Sequence, residues 1–208
     1  MENEAAALKL IAETTNIPVP RVHETFESDG AFYIVMEKVP GIAMAKLDES
    51  AKEIVIKELE GHLQTLHGLR SDVPGGASGI VVPPYRVTLK TNNDSWKLKP
   101  AMTNDFVFCH NDLSQHNVIV DPESLQINAI IDWEYSGFYP EYFEGRFYSR
   151  PGPSVALGDE KDDSEKLLSF LLKQSGSKYL LDSSDIPVNE NQDMITTINT
   201  ATADSVGE

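Results

Sequence analysis

The sequence predicts a mixed α/β (α+β) fold for this chain of 208 residues. Three observations predict it. Helix-forming stretches with one apolar side stand near the start, in the middle and late in the chain. Between them lie short strand-like runs bounded by turn residues. One polar cluster, "CHNDLSQHNVIVD" at 109–121, stands directly before a tight apolar run. A cluster so placed is either a turn or a site. A hydrophobic content of 40% with 24% charged residues is ordinary for a globular protein of this length, which is enough to bury a real core.

Taken in order, residues 4–15 (EAAALKLIAETT) are strong helix formers with Leu8, Ile11 and Ala12 on one side. Asn16 and the "IPVP" after it end that helix, since each proline removes a donor and pushes its predecessor towards extended geometry. "RVHETFES" and "AFYIVMEKV" read as two strands joined at Asp29-Gly30, a hairpin signal, with Pro40-Gly41 ending the second. A long helix is expected from Asp48 to Leu69, with Val55, Leu59, Leu63 and Leu66 on one face and Ser50 as a cap. The Glu and Lys run at 49–60 reads as its solvated side. Residues 71–105, rich in Pro, Gly, Asn and Asp, read as loop with one short strand at "YRVTL". "FVFCH", "NVIVD" and "LQINAIIDW" are strands, the last two joined by the "DPES" turn. Residues 164–173 form a short amphipathic helix with a Ser cap. After Lys178 the chain has six acids and no Lys or Arg, so 182–208 is expected to be an acidic, disordered tail.

The net charge of −16 argues against a nucleic-acid partner, because a phosphate backbone demands an excess of Lys and Arg. It suits a cationic or metal-chelated one. A single cysteine, Cys109, excludes a disulfide framework and fits a reducing compartment; its aliphatic neighbours mark it as a buried small hydrophobe. No stretch reaches the roughly 20 apolar residues of a membrane span, and no signal peptide is visible, so a cytoplasmic protein with no membrane partner is expected.

Within the opening cluster the pattern is His110-x-Asp112-x-x-x-x-Asn117, followed by the hairpin and by Asp132 in "IIDWE". A hairpin folded about "DPES" brings its outer ends together, and those ends are Asn117 and Asp132. An amide oxygen and a carboxylate there are hard ligands suited to Mg²⁺. Asp112, on the loop entering the hairpin, can stand beside the metal as the base for a hydroxyl nucleophile. Positioning a hydroxyl against a metal-chelated triphosphate is what phosphoryl transfer requires.

At these residues the chain resembles the aminoglycoside phosphotransferase and choline kinase branch of the protein-kinase-like fold, in a fungal-type form. The resemblance covers roughly residues 4–172 and is most specific over 105–145. It implies a truncated small lobe plus a mostly helical large lobe: residues 1–39 as a small-lobe remnant of helix, hairpin and hinge, and 40–181 as the large lobe with the catalytic loop. It implies Asp112 as catalytic base, Asn117 and Asp132 as Mg²⁺ ligands, and His110 as the histidine that steadies the catalytic loop. Glu4 matches the acid that pairs with a phosphate-binding lysine. Met36, Glu37 and Val39 match the hinge that holds the adenine of ATP. The implied reaction moves the γ-phosphoryl group of ATP to a hydroxyl of a small molecule. Asn111 after the motif histidine, Trp133-Glu134 after Asp132, and the lack of a later Ala-Pro-Glu point away from a protein kinase.

Only three residues precede Glu4, and no glycine-rich strand pair or Val-Ala-x-Lys strand precedes it; Gly75, Gly76 and Gly79 form a loop instead. Weak ATP affinity and little turnover are therefore expected of this polypeptide, and a non-catalytic pseudokinase is the alternative. A third reading takes His110, His116 and Asp112 as a two-His-one-carboxylate iron site, a class that typically needs a many-stranded barrel. Residues 133–148 hold eight of the seventeen aromatics; they either pack the large lobe or, with Glu134, Glu141 and Glu144, receive a cationic amine substrate. His23, His62 and His67 read as surface or helix-face residues.

Overall fold

The computed structural model describes residues 1–101 and 103–176; the expected acidic tail lies outside the described residues. Helix α1 (Glu2–Thr14) buries Ala7, Leu8 and Ile11. Ala12, expected on the same side, is exposed together with Glu13 and Thr14, because the last turn leaves the core. Strands β1 (Val22–Ser28) and β2 (Ala31–Met36) form an antiparallel hairpin whose turn residues Asp29 and Gly30 both have positive φ, 52° and 76°. Such turns match the twist of the flanking strands. Strand β2 stops at Met36 rather than at Pro40, which leaves 37–39 as an extended connection.

Past this connection, β3 (Ile42–Ala43) leads into α2 (Glu49–His67). The cap is Asp48, not Ser50: its carboxylate accepts from Ala51 N at 2.9 Å and from the Ser50 hydroxyl at 2.7 Å. Lys52, placed by sequence on the solvated side, is buried and paired with Glu49 at 2.7 Å. After β4 (Arg70–Ser71), the "YRVT" segment is a helical turn, α3 (Tyr85–Thr88), and not a strand. Pro84 precedes it with φ −52°, a preset start for a helix that β-branched composition alone conceals.

Strands β5 (Phe106–Cys109), β6 (Val118–Val120), β7 (Ile127–Ile130) and β8 (Gly137–Tyr139) follow, and α4 (Ser164–Ser175) ends at Gly176 with φ 73°. The expected Ser cap is absent from α4: Asp163 is the cap residue, and the Ser164 hydroxyl and N–H both donate to Asp162. The strand order is β3-β6-β7 in one sheet and β4-β5-β8 in another. Strand β3 meets β6 at Ile42–Val120 and Ala43–Ile119, so the connection after β2 is tied to the β6–β7 hairpin. Gly41 makes this approach possible. Its φ is +120°, and a Cβ there would collide with the Val120 carbonyl oxygen.

One core joins α1, α2 and the hairpin through Leu8, Ile11, Leu59, Val118, Ile130 and Trp133. A second lies between β5, β8 and α4, with Cys109, Tyr139, Phe143 and Leu171. Cys109 is wholly buried, as its neighbours imply. Among the described residues no helix is long and apolar enough to cross a membrane.

Candidate active site

The site grows from the end of β5, where the chain leaves one sheet at His110 and enters the other, through β6, at Val118. Burial holds His110 neutral, pushing its pKa down to about 4. Its Nδ1 accepts from Asp112 N at 3.3 Å, so Nε2 carries the proton and donates to Ile131 O at 3.0 Å. One ring therefore holds the loop before Asp112 to the segment before Asp132. The Trp133 ring packs on it at 4.5 Å between centroids. With both nitrogens engaged and His116 exposed, the two-His-one-carboxylate reading fails; among the described residues neither that ligand cluster nor a many-stranded barrel forms.

Asn117 is buried, and its Nδ2 donates to Asp112 O at 2.8 Å and to Asp112 Oδ2 at 3.2 Å. This turns Asn117 Oδ1 away from Asp112 and leaves it free to ligate. The hairpin register sets Val118 opposite Ile130, and Ile131 N donates to Asn117 O at 2.9 Å. Asp132 is the next residue, with φ 68°. Asn117 and Asp132 thus stand at adjoining ends of one hairpin, as their spacing from the turn predicts.

Asp132 carries a carboxyl pushed up to about 6, first by burial and then by the charges of Asp112 and Glu134. Glu4, nine-tenths buried in α1, is also raised, by burial and by Asp132. Among the described residues no Lys or Arg pairs with Glu4. A set of acids that raise one another's pKa is a set that a divalent cation would stabilise, and its oxygens are the hard donors that Mg²⁺ takes.

Two clefts are lined by residues at the hairpin end. One, of about 430 Å³, is lined by Glu4, Met36, Glu37, Val39, Ile131 and Asp132. The other, of about 370 Å³, includes Asp112, Asn117, His116, Glu134, Tyr85 and Tyr135. Every site residue singled out from the sequence except the supporting His110 lines one of them. Of the three acids considered for a cationic substrate, only Glu134 faces a cleft. Glu144 is turned inward, and its carboxylate accepts from His110 N at 2.5 Å and from Asn111 N at 3.3 Å. Glu141 is exposed beside His67. Half of the eight neighbouring aromatics, Trp133, Tyr139, Phe143 and Tyr148, are buried packing.

Three positioning roles escape the sequence reading, Glu144 being considered there only for a cationic substrate. Arg86 in α3, 2% exposed, donates to Asn111 O at 3.0 Å and to Phe143 O at 2.7 Å while pairing with Asp163 at 2.8 Å. Glu144 fixes the opposite side of the same loop. Asn3 in α1 donates to Glu134 O and Ser136 O, both at 2.9 Å, and so holds the segment after Asp132. Their partners lie 25 to 133 positions away, and no local spacing announces them.

The profile of the choline/ethanolamine kinase family matches residues 36–144. An aminoglycoside 3'-phosphotransferase of Streptomyces ribosidificus is 31% identical over 153 residues, which is 64% of this chain and 58% of that protein. One of Streptomyces fradiae is 29% identical over 142 residues, 56% of this chain and 52% of that protein. The chain therefore spans between half and three-fifths of these relatives' length. In fold, it aligns with the crystal structure of a thermostable mutant of aminoglycoside phosphotransferase APH(4)-Ia in ternary complex with ADP and hygromycin B. The TM-score is 0.53 at 15% identity, covering 84% of this chain and 68% of that one.

Proposed function

Because the chain belongs to the choline/ethanolamine kinase family, we propose that it carries the catalytic half of an ATP-dependent small-molecule phosphotransferase. The observation that supports this most is that Asp112 and Asn117 line one cleft and Asp132 the other, at adjoining ends of one hairpin. Residues 1–39 supply the nucleotide side together with Asp132, and residues from 40 onward supply the catalytic loop and the acceptor side.

On the nucleotide side the Glu37 N–H is already given to Arg21 O. The Val39 N–H and Glu37 C=O have no protein partner among the described residues, and they can meet the acceptor and donor edges of an adenine above Met36. Asn117 Oδ1 and the Asp132 carboxylate would hold Mg²⁺, which neutralises charge on the β- and γ-phosphates. On the acceptor side Asp112 takes the proton of a hydroxyl as its oxygen bonds to phosphorus, and the bridging oxygen leaves with ADP. The Asn117 amide holds the Asp112 carboxylate in place for this at 3.2 Å. Glu134 with the Tyr85 and Tyr135 rings, 6.5 Å apart, suits an acceptor that carries a positive charge.

A second reading, a binding module without turnover, is favoured because no Lys or Arg side chain pairs with buried Glu4 among the described residues. An ATP-dependent phosphorylation assay over amino alcohols and aminoglycosides separates the two. Phosphate ester formation that falls by about a hundredfold or more in Asp112→Asn supports the enzyme. Ester formation unaffected by that substitution refutes the assigned chemistry, and no ester from any acceptor favours the binding module.

A further inference from the structure

Behind the catalytic loop, away from both clefts, His67, Cys109 and Glu144 present a ring nitrogen, a thiol sulfur and a carboxylate oxygen that all lie within 4.8 Å of one another. We propose that these three side chains form a site for a thiophilic divalent cation of the zinc class. They come from the end of α2, from β5, and from the loop after β8, so the fold and not a local motif assembles them.

Each member has a capacity that the fold leaves unused. His67 Nε2 is buried with no hydrogen-bond partner, while its Nδ1 faces Glu141 at 3.7 Å. A carboxylate that accepts the far N–H of the ring is the usual companion of a metal-ligating histidine, and Glu141 is a few tenths of an ångström from that contact. The Cys109 sulfur has only weak contacts, at 3.7 Å to Val107 O and 4.0 Å to Pro140 O. Glu144 accepts one loop amide on each oxygen, which leaves a second lone pair on both.

Burial and the charge of Glu144 push the Cys109 thiol well above its ordinary range, so it is a thiol in the free protein. Coordination would release its proton to solvent, and the thiolate and Glu144 would together balance a doubly charged ion. Arg86 is the nearby opposing charge, and Asp163 neutralises it. Metal–sulfur and metal–nitrogen bonds of about 2.3 and 2.0 Å place tetrahedral ligands about 3.5 Å apart. The three side chains would close by about 1 Å, with a water in the fourth place. Entry is from the side of His67, whose side chain is 20% exposed, and the exposed Glu141. Glu144 also fixes His110 and Asn111, so the ion would sit directly behind the loop that carries Asp112.

Cobalt is the probe. Cys109 is the sole cysteine of the chain, so a thiolate-to-cobalt charge-transfer band reports this site and no other. The full chain titrated with Co²⁺ should develop that band at one ion per chain, and Zn²⁺ should bleach it. Cys109→Ala should abolish the band. His67→Ala, at a partly exposed position and checked for folding by circular dichroism, should weaken cobalt binding about tenfold or more. Absence of the band at millimolar Co²⁺, or an unchanged cobalt affinity in folded His67→Ala, overturns the proposal. Cobalt held at Asn117 and Asp132 would give no thiolate band, so failure here is distinct from failure of the phosphotransferase reading.

Discussion

Asp132 combines three properties that a single residue rarely shares: a left-handed backbone with φ 68°, a half-buried carboxyl pushed up to about 6, and two acids close by. Its folded pKa lies above the unfolded one, so its stabilising effect is complete at low pH and is lost as pH rises through about 6. Asp132→Asn keeps a residue type that tolerates positive φ and removes the charge. It should melt at a higher temperature than the wild type at pH 8, and that gain should shrink as pH falls below about 6; a lower melting temperature at pH 8 would contradict the assignment. Arg86 is the converse case, a buried cation that satisfies two carbonyls and one carboxylate. Arg86→Ala should cost about 3–5 kcal/mol in urea unfolding, because Asp163 and the loop carbonyls lose their partner together. Asp112, Asn117 and Asp132 were legible in the sequence because a five-residue spacing and one hairpin bring them together. Arg86, Glu144 and Asn3 were not, because their partners come from distant elements.

At the level of elements, β3 and α3 do more for the site than their length suggests. Two residues of β3 fasten the connection after β2 to the β6–β7 hairpin, and Gly41 allows the approach. Gly41→Ala meets both an unfavourable φ and the Val120 carbonyl, and should destabilise the protein by about 1–3 kcal/mol. Calorimetric melting of that variant checks it. The single turn of α3 places Tyr85 in the cleft that Asp112 lines and Arg86 beneath the loop that carries Asp112. Its sequence, YRVT, has strand-like composition and is too short to show a helical period, so only the preceding prolines pointed to its conformation. The β1–β2 and β6–β7 hairpins were legible because their turns carry the signal. The caps at Asp48 and Asp163 were misplaced by one or two residues, since in each case a neighbouring Ser bonds an Asp side chain instead of acting alone.

Across the molecule, both clefts draw residues from one hairpin end, and four acids, Glu4, Asp112, Asp132 and Glu134, gather there without a Lys or Arg among their ion pairs in the described residues. On the proposed function, that charge calls for a divalent cation to accompany ATP in this site. Protons compete with the cation for Asp132, so Mg²⁺-dependent nucleotide binding should weaken as pH falls through about 6. The most direct test of the account is calorimetric titration of ATP into the full chain with and without Mg²⁺, beside an Asp132→Ala variant. The account predicts binding in the wild type that needs both Mg²⁺ and Asp132. Binding of equal strength without Mg²⁺ or in Asp132→Ala, or no binding at millimolar ATP, would contradict it.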